Sequence, residues 1–246
     1  MLDDDGRMAA AAARELVDGE TCFVGIGVPS VAAILAKRTH ARNLVLIYES
    51  GAVDAVPPSL PLSTGSPSIA ADTAFLGDCL GVFGDLQAGR LNVGLLSAAQ
   101  VDRLGNLNST VLGPYEHPKL RLVGSGGAHD IASLVGRVVI VMPHDPRRFV
   151  EQVDFITAPG LDPRGGRPPG TRGAGPSALI TPRARFTFEA GELTLAGLQP
   201  GFSADDATEG FGWAVPAADE VVELPHPPAE VVRMLATLTQ KAGTAT

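Results

Sequence analysis

Val138-Val139-Ile140-Val141-Met142 is a run of five apolar residues with no polar side chain to turn toward water. It is short for a buried helix and too uniformly apolar for a strand with one wet face, so it predicts a strand covered on both sides. Such strands belong to parallel sheets, because the crossovers that join parallel neighbours lay helices over both faces. Two more runs fit, Thr21-Cys22-Phe23-Val24 and Leu44-Val45-Leu46-Ile47-Tyr48. Between them Gly25-Ile26-Gly27 turns the chain and Pro29-Ser30 opens a helix to Arg38, with Pro in the first turn where its missing N–H costs nothing. Strand, turn, helix, strand in this order predicts an α/β chain: a single open, largely parallel sheet with flanking helices.

The remaining elements are read from the same signals. A helix over 7–18 stops at Gly19, strands are predicted at 91–96 and 120–123, and helices at 128–134 and 228–240. Residues 178–198 predict a C-terminal β-meander with a turn at Ala190-Gly191-Glu192. Before it, in residues 157–176, eleven of twenty positions are Gly or Pro, which predicts a long loop with freedom to move. The segment after that loop is too short to fold alone, so residues 1–246 are expected to form one domain.

Net charge is −8 and the pI about 5.1, which argues against a surface that tracks nucleic-acid phosphates. A small anion remains acceptable, since backbone amides at a turn bind anions without net positive charge. Cys22 and Cys79 stand 57 residues apart with no paired-ligand spacing, and predict two buried thiols in a reducing compartment. The five histidines lack the i, i+4 spacing of a metal pair, so no metal site is expected. The acidic N-terminus is unlike a secretory signal, and no stretch reaches the ~18 apolar residues that span a bilayer. A cytoplasmic protein without membrane or nucleic-acid partners is the expectation.

Several positions could carry chemistry. Glu49 directly follows the strand ending at Tyr48, at the strand end where open α/β sheets bind ligands, and the small residues Ser50, Gly51 and Ala52 leave room for a substrate. A carboxylate there is also consistent with a solvated loop. LVGSGGAHDIASL, residues 122–134, reads as strand, glycine turn and helix, and the amides of Gly126, Gly127 and Ala128 could converge on a phosphate or an oxyanion. Gly25 and Gly27 resemble part of a dinucleotide fingerprint but lack its third glycine. His144-Asp145 could form a catalytic pair or a surface turn, and Arg147-Arg148 could bind a substrate carboxylate or begin a solvated helix.

Taken in order, VGIGVP (24–29), YESG (48–51), AAQVDRLGNLNST (98–110), HPK (117–119), GSGGAHD (124–130) and MPHDPRRF (142–149) resemble the β subunit of a class I CoA-transferase. The motif wording is similar to that of the glutaconate CoA-transferase β subunit, and the similarity runs from about residue 7 to 225. The resemblance implies a three-layer αβα fold, with Glu49 as nucleophile and the Gly127 amide, beside Gly126, stabilising the oxyanion. It places Gly25, Gly27, Gln100 and Asn106 near a wall that faces CoA or the other subunit. It further implies a CoA thioester as substrate with no permanently bound cofactor, a separate α subunit that completes the active site, and a covalent glutamyl-CoA intermediate. Same-fold hydrolases or decarboxylases and a non-catalytic ligand-sensing module are the alternatives. The loop at 157–176 departs from the family pattern, and Ala52-Val53-Asp54 follows Glu49-Ser50-Gly51 at a place where members of the family differ among themselves.

Overall fold

A computed structural model describes residues 2–57, 60, 63–70, 72–188 and 190–240, with the side chains of 239 and 240 left aside. In chain order the elements are α1 (Asp4–Ala13), β1 (Thr21–Val24), α2 (Val28–Arg38), β2 (Val45–Tyr48), β3 (Ala52–Val53), α3 (Pro67–Ala70), β4 (Phe75–Leu76) and α4 (Cys79–Gln87). Next come β5 (Val93–Leu96), β6 (Gln100–Val101), β7 (Leu107–Asn108), β8 (Val111–Leu112), β9 (Leu120–Arg121), α5 (Ala128–Leu134) and β10 (Arg137–Val141). The chain then runs through β11 (Pro176–Ile180), β12 (Ala184–Thr187), β13 (Thr194–Leu198), α6 (Ala204–Thr208), β14 (Ala217–Glu223) and α7 (Ala229–Gln240).

Ten strands form one sheet in the order β14-β13-β12-β11-β10-β5-β1-β2-β3-β4. The five central strands, β2, β1, β5, β10 and β11, pair parallel. They are the apolar runs, and their side chains divide between two cores. Cys22, Val24, Leu46 and Tyr48 pack with α1, α2 and α7 on one face, while Phe23, Ile47, Leu96 and Ile140 pack with α4 and α5 on the other. This alternation of period two makes three layers. Because β2 and β5 lie on opposite sides of β1, the chain changes direction between β1 and β5, and the crevice beyond their carboxyl ends is where such sheets take ligands. Gly94 in β5 lets α5 sit low on the sheet: a Cβ there would stand 2.5 Å from Ile131 Cγ2.

The structure corrects several expectations. The first helix begins at Asp4 because the Asp3 carboxylate accepts from the Gly6 N–H at 2.8 Å, and it ends at Ala13 rather than near 18. The strand expected at 120–123 is a two-residue piece paired only with β8, outside the main sheet. The meander is real, but β11, β12 and β13 extend the main sheet, and β14 adds parallel to β13. Cys79 is exposed, unlike buried Cys22. The Gly/Pro-rich loop is strapped down: Arg167 donates to the carbonyls of Pro159, Gly160 and Ala132, while the Arg172 N–H donates to Ser133 O and its guanidinium to Gln87 O. Those bonds tie the loop to the ends of α4 and α5. Among the described residues no helix is long and apolar enough to cross a membrane.

Candidate active site

β2 ends at Tyr48, which is fully buried, and the chain turns at once: the Gly51 N–H donates to Tyr48 O at 2.9 Å. Glu49 is the first corner of that turn and half-buried. The turn is held from outside by the residues leading into α4. Gly51 O accepts from the Gly77 N–H at 2.9 Å, and Gly51 lies so close that a Cβ there would meet Gly77 C at 2.4 Å. Its φ of 104° is a second reason for glycine. Asp78 then caps α4, accepting from Gly81 N at 2.8 Å. The neighbouring strand β1 leaves the sheet at the same level, since Val24 pairs with Tyr48.

Gly127 comes to this turn from the other side of the crevice. A Cβ built on it would lie 3.3 Å from Glu49 Oε1 and 2.9 Å from Phe83 Cζ. Two residues 78 positions apart in the chain thus face one another, with the ring of Phe83 beside them. Gly127 caps α5 with φ −81° and is buried; Gly126, exposed, has φ 48°. Neither donates its N–H to a loop, turn or side-chain acceptor among the described residues. The turn before them is fixed by Ser109, whose N–H donates to Thr157 Oγ1 at 2.9 Å and whose hydroxyl donates to Gly124 O at 2.8 Å. A cavity of about 610 Å³ adjoins this turn, lined by Ser97, Ala98, Ala99, Ser109, Arg121, Leu122 and Val123.

The other predicted positions are placed elsewhere. Gly25 packs over β5, where a Cβ would meet Leu95 O at 3.4 Å, and Gly27 opens on a cavity of about 250 Å³ on the α1–α2 side. Gln100 is buried; its Nε2 donates to Asp154 at 3.0 Å and its Oε1 accepts from Asn108 at 2.7 Å. Asn106 is likewise spent, donating to Asp102 and accepting from Gly160 N at 2.8 Å. It lines a separate cavity of about 770 Å³ with Asp102, Arg103, Glu151 and Pro163, whose walls do not include Glu49. Burial pushes the Asp102 carboxyl up, against the Asn106 and Leu104 hydrogen bonds that hold it down. His144 and Asp145 do not pair: His144 Nε2 meets Glu209 O at 3.0 Å, whereas Asp145 takes a two-pronged bond from Arg147 and is held down to about 2 by it. Arg148 donates to Ala98 O at 2.7 Å. Among the described residues no three His, Cys, Asp or Glu side chains gather as a metal ion would require.

Phe83 was not among the sequence candidates. The signal for its helix was Asp78 as a cap before Val82 and Leu86, a spacing that puts a short helix after β4. Gly81 and Gly84 within it obscure that signal, as both disfavour a helix interior.

A carboxylate at a parallel-strand end thus faces a glycine turn whose Gly126 and Gly127 amides meet no loop, turn or side-chain acceptor among the described residues, within an α/β protein built on one largely parallel sheet. The coenzyme A transferase family model matches residues 6–168, and the chain belongs to that family. It is similar to the B subunit of 3-oxoadipate CoA-transferase of Pseudomonas knackmussii, 42% identical over 97% of this chain and 94% of that protein. It is also similar to the B subunit of glutaconate CoA-transferase of Acidaminococcus fermentans, at 32% identity over 92% and 88%. The crystal structure of glutaconate coenzyme A-transferase from Acidaminococcus fermentans superposes with a TM-score of 0.86 at 31% identity, over 96% of this chain and 94% of that one. The decarboxylase AibA/AibB, TM-score 0.82 at 23% identity over 97% and 95%, shares the fold. The chain is a B subunit of the class I CoA-transferase type.

Proposed function

We propose that this chain supplies the nucleophile of a CoA-transferase that moves CoA between an acyl-CoA thioester and a free dicarboxylic or 3-oxo acid. Glu49 attacks the thioester carbonyl, and the oxyanion that forms is held by the Gly127 N–H with Gly126 beside it. Collapse expels CoA thiolate and leaves a mixed anhydride. The thiolate returns to the glutamyl carbonyl, releases the first acid, and leaves CoA as a thioester on Glu49; the second acid reverses these steps. One hard exchange is thereby split into easier ones. Attack by a carboxylate needs no general base, so the burden falls on the oxyanion donor, for which one backbone N–H contributes about 3 kcal/mol.

The observation that carries this is the meeting of Glu49 Oε1 and Gly127 across the crevice. We assign the pantetheine arm of CoA, which enters as substrate with no permanently bound cofactor required, to the cavity that Ser109, Leu122 and Val123 line ahead of the glycine turn. A second, α subunit completes the site, in keeping with the subunit names of the relatives. Their named substrates, 3-oxoadipate and glutaconate, are both dicarboxylic acids, and a short dicarboxylic acid is the acceptor class proposed here. Arg147 is already paired with Asp145, so it is not the free cation for the second carboxylate.

The test is trapping. The chain, assembled with its α subunit, is incubated with succinyl-, glutaryl- or adipyl-CoA without acceptor and treated with borohydride. Mass spectrometry should find the Glu49 side chain reduced to the alcohol. Unmodified Glu49 in an enzyme that transfers CoA, or a Glu49→Gln enzyme of undiminished rate, defeats the proposal.

A further inference from the structure

A glutamyl-CoA thioester is open to water as well as to an acid. Attack by water forms a C–O bond at the glutamyl carbonyl and breaks the C–S bond. The carboxylate is restored, one water proton goes to the CoA sulfur and the other to solvent. Each such event destroys a thioester, so a transferase needs something that withholds water at Glu49.

Phe83 stands where that protection is needed. Its Cζ and Glu49 Oε1 crowd the same point over Gly127, at 2.9 and 3.3 Å from a Cβ built there. The ring is fixed from behind by Phe23, edge to face with centroids 6.1 Å apart, and Phe23 is almost wholly buried. Its helix, α4, is bonded through Gly77 to the turn that carries Glu49. The helix that carries the ring is thereby held against the turn that carries the carboxylate. Phe83 has no polar group with which to bind substrate; its partly buried ring packs against the α4–α5 core while its Cζ end reaches the space over Gly127 beside Glu49.

We propose that Phe83 is a positioning residue that shields the glutamyl intermediate from water and so sets the ratio of transfer to hydrolysis. This rests on Glu49 being the covalent carrier.

The experiment compares wild-type αβ enzyme with Phe83→Ala and Phe83→Leu, using whichever of the three thioesters above turns over fastest. Thioester loss is followed with and without acceptor acid, and borohydride trapping at Glu49 is run in parallel. In Phe83→Ala the hydrolysis-to-transfer ratio should rise about tenfold or more, with Phe83→Leu between it and wild type. A purely structural role would lower both rates together and leave the ratio unchanged, which would overturn the inference. If Glu49 is trapped in all three proteins and the ratio is constant, only the shielding role fails. If Glu49 is never trapped, the covalent reading itself fails.

Discussion

Adjacent glycines at 126 and 127 are glycines for different reasons. At Gly126 the φ of 48° lies in the left-handed region, which costs an L-residue about 1–2 kcal/mol, and nothing stands within 4 Å of a Cβ. At Gly127 the φ of −81° suits any residue, but the space is taken by Phe83 and Glu49. Alanine substitutions should separate these causes. On the proposed mechanism, Gly127→Ala is expected to lower the transfer rate by about 10- to 100-fold, as its Cβ crowds Glu49 and Phe83, with a nearly unchanged melting temperature. Gly126→Ala should chiefly lower the melting temperature. Rate and calorimetric measurements on both variants check the split, and equal effects on both quantities in both variants would contradict it.

Strand β2 serves two sides of the molecule at once. Its last side chain, Tyr48, points into the α1–α2 core, and the next residue, Glu49, turns toward α4 and α5. The Tyr48 hydroxyl lies beside the Ser30 hydroxyl yet meets no partner in hydrogen-bond geometry among the described residues, and burial pushes it up to about 12, with Ser30 opposing that shift. Its folded value is above its unfolded one, so the stability linked to it is complete below about pH 10 and is lost as pH rises toward about 12. Tyr48→Phe keeps the ring and removes the titration, and it should move the alkaline unfolding midpoint upward; an unchanged midpoint would show that Tyr48 does not limit stability there. The apolar runs of β1, β2, β5 and β10 were legible in sequence because burial on both faces leaves them almost wholly apolar, with Thr21 and Arg137 only at the first position of their strands. Glu49 was legible as the break in such a run. The hydrogen bonds of Gln100 to Asp154 and of Asn106 to Asp102 were not, because a polar residue so engaged looks the same in sequence as one facing a ligand. Phe83 and α4 escaped for another reason: their place is set by the contact between Gly51 and Gly77, which lies outside any local pattern.

On the scale of the whole molecule, the rim of the active-site crevice is unusually apolar for a surface that meets only water. Leu80, on the first turn of α4, is 82% exposed, and Val123, just ahead of the glycine turn, is 97% exposed. Ile26, after β1, and Phe75 and Leu76, on the edge strand β4, are also exposed. Exposed apolar residues on the elements that flank the crevice suit a face that an α subunit covers. An edge strand with two exposed apolar side chains would otherwise invite self-association. Placing a charge on the rim should therefore act on assembly before it acts on folding. Leu80→Asp and Val123→Asp each leave the core untouched, so the isolated chain should keep its circular dichroism and melting temperature. Mixed with the α subunit, each should weaken association by about 10-fold or more, seen as a shift to separate subunits on gel filtration, with transfer activity restored at high subunit concentration. Full assembly of both variants at wild-type concentrations would mean that the α subunit docks elsewhere and the crevice rim faces solvent in the working enzyme.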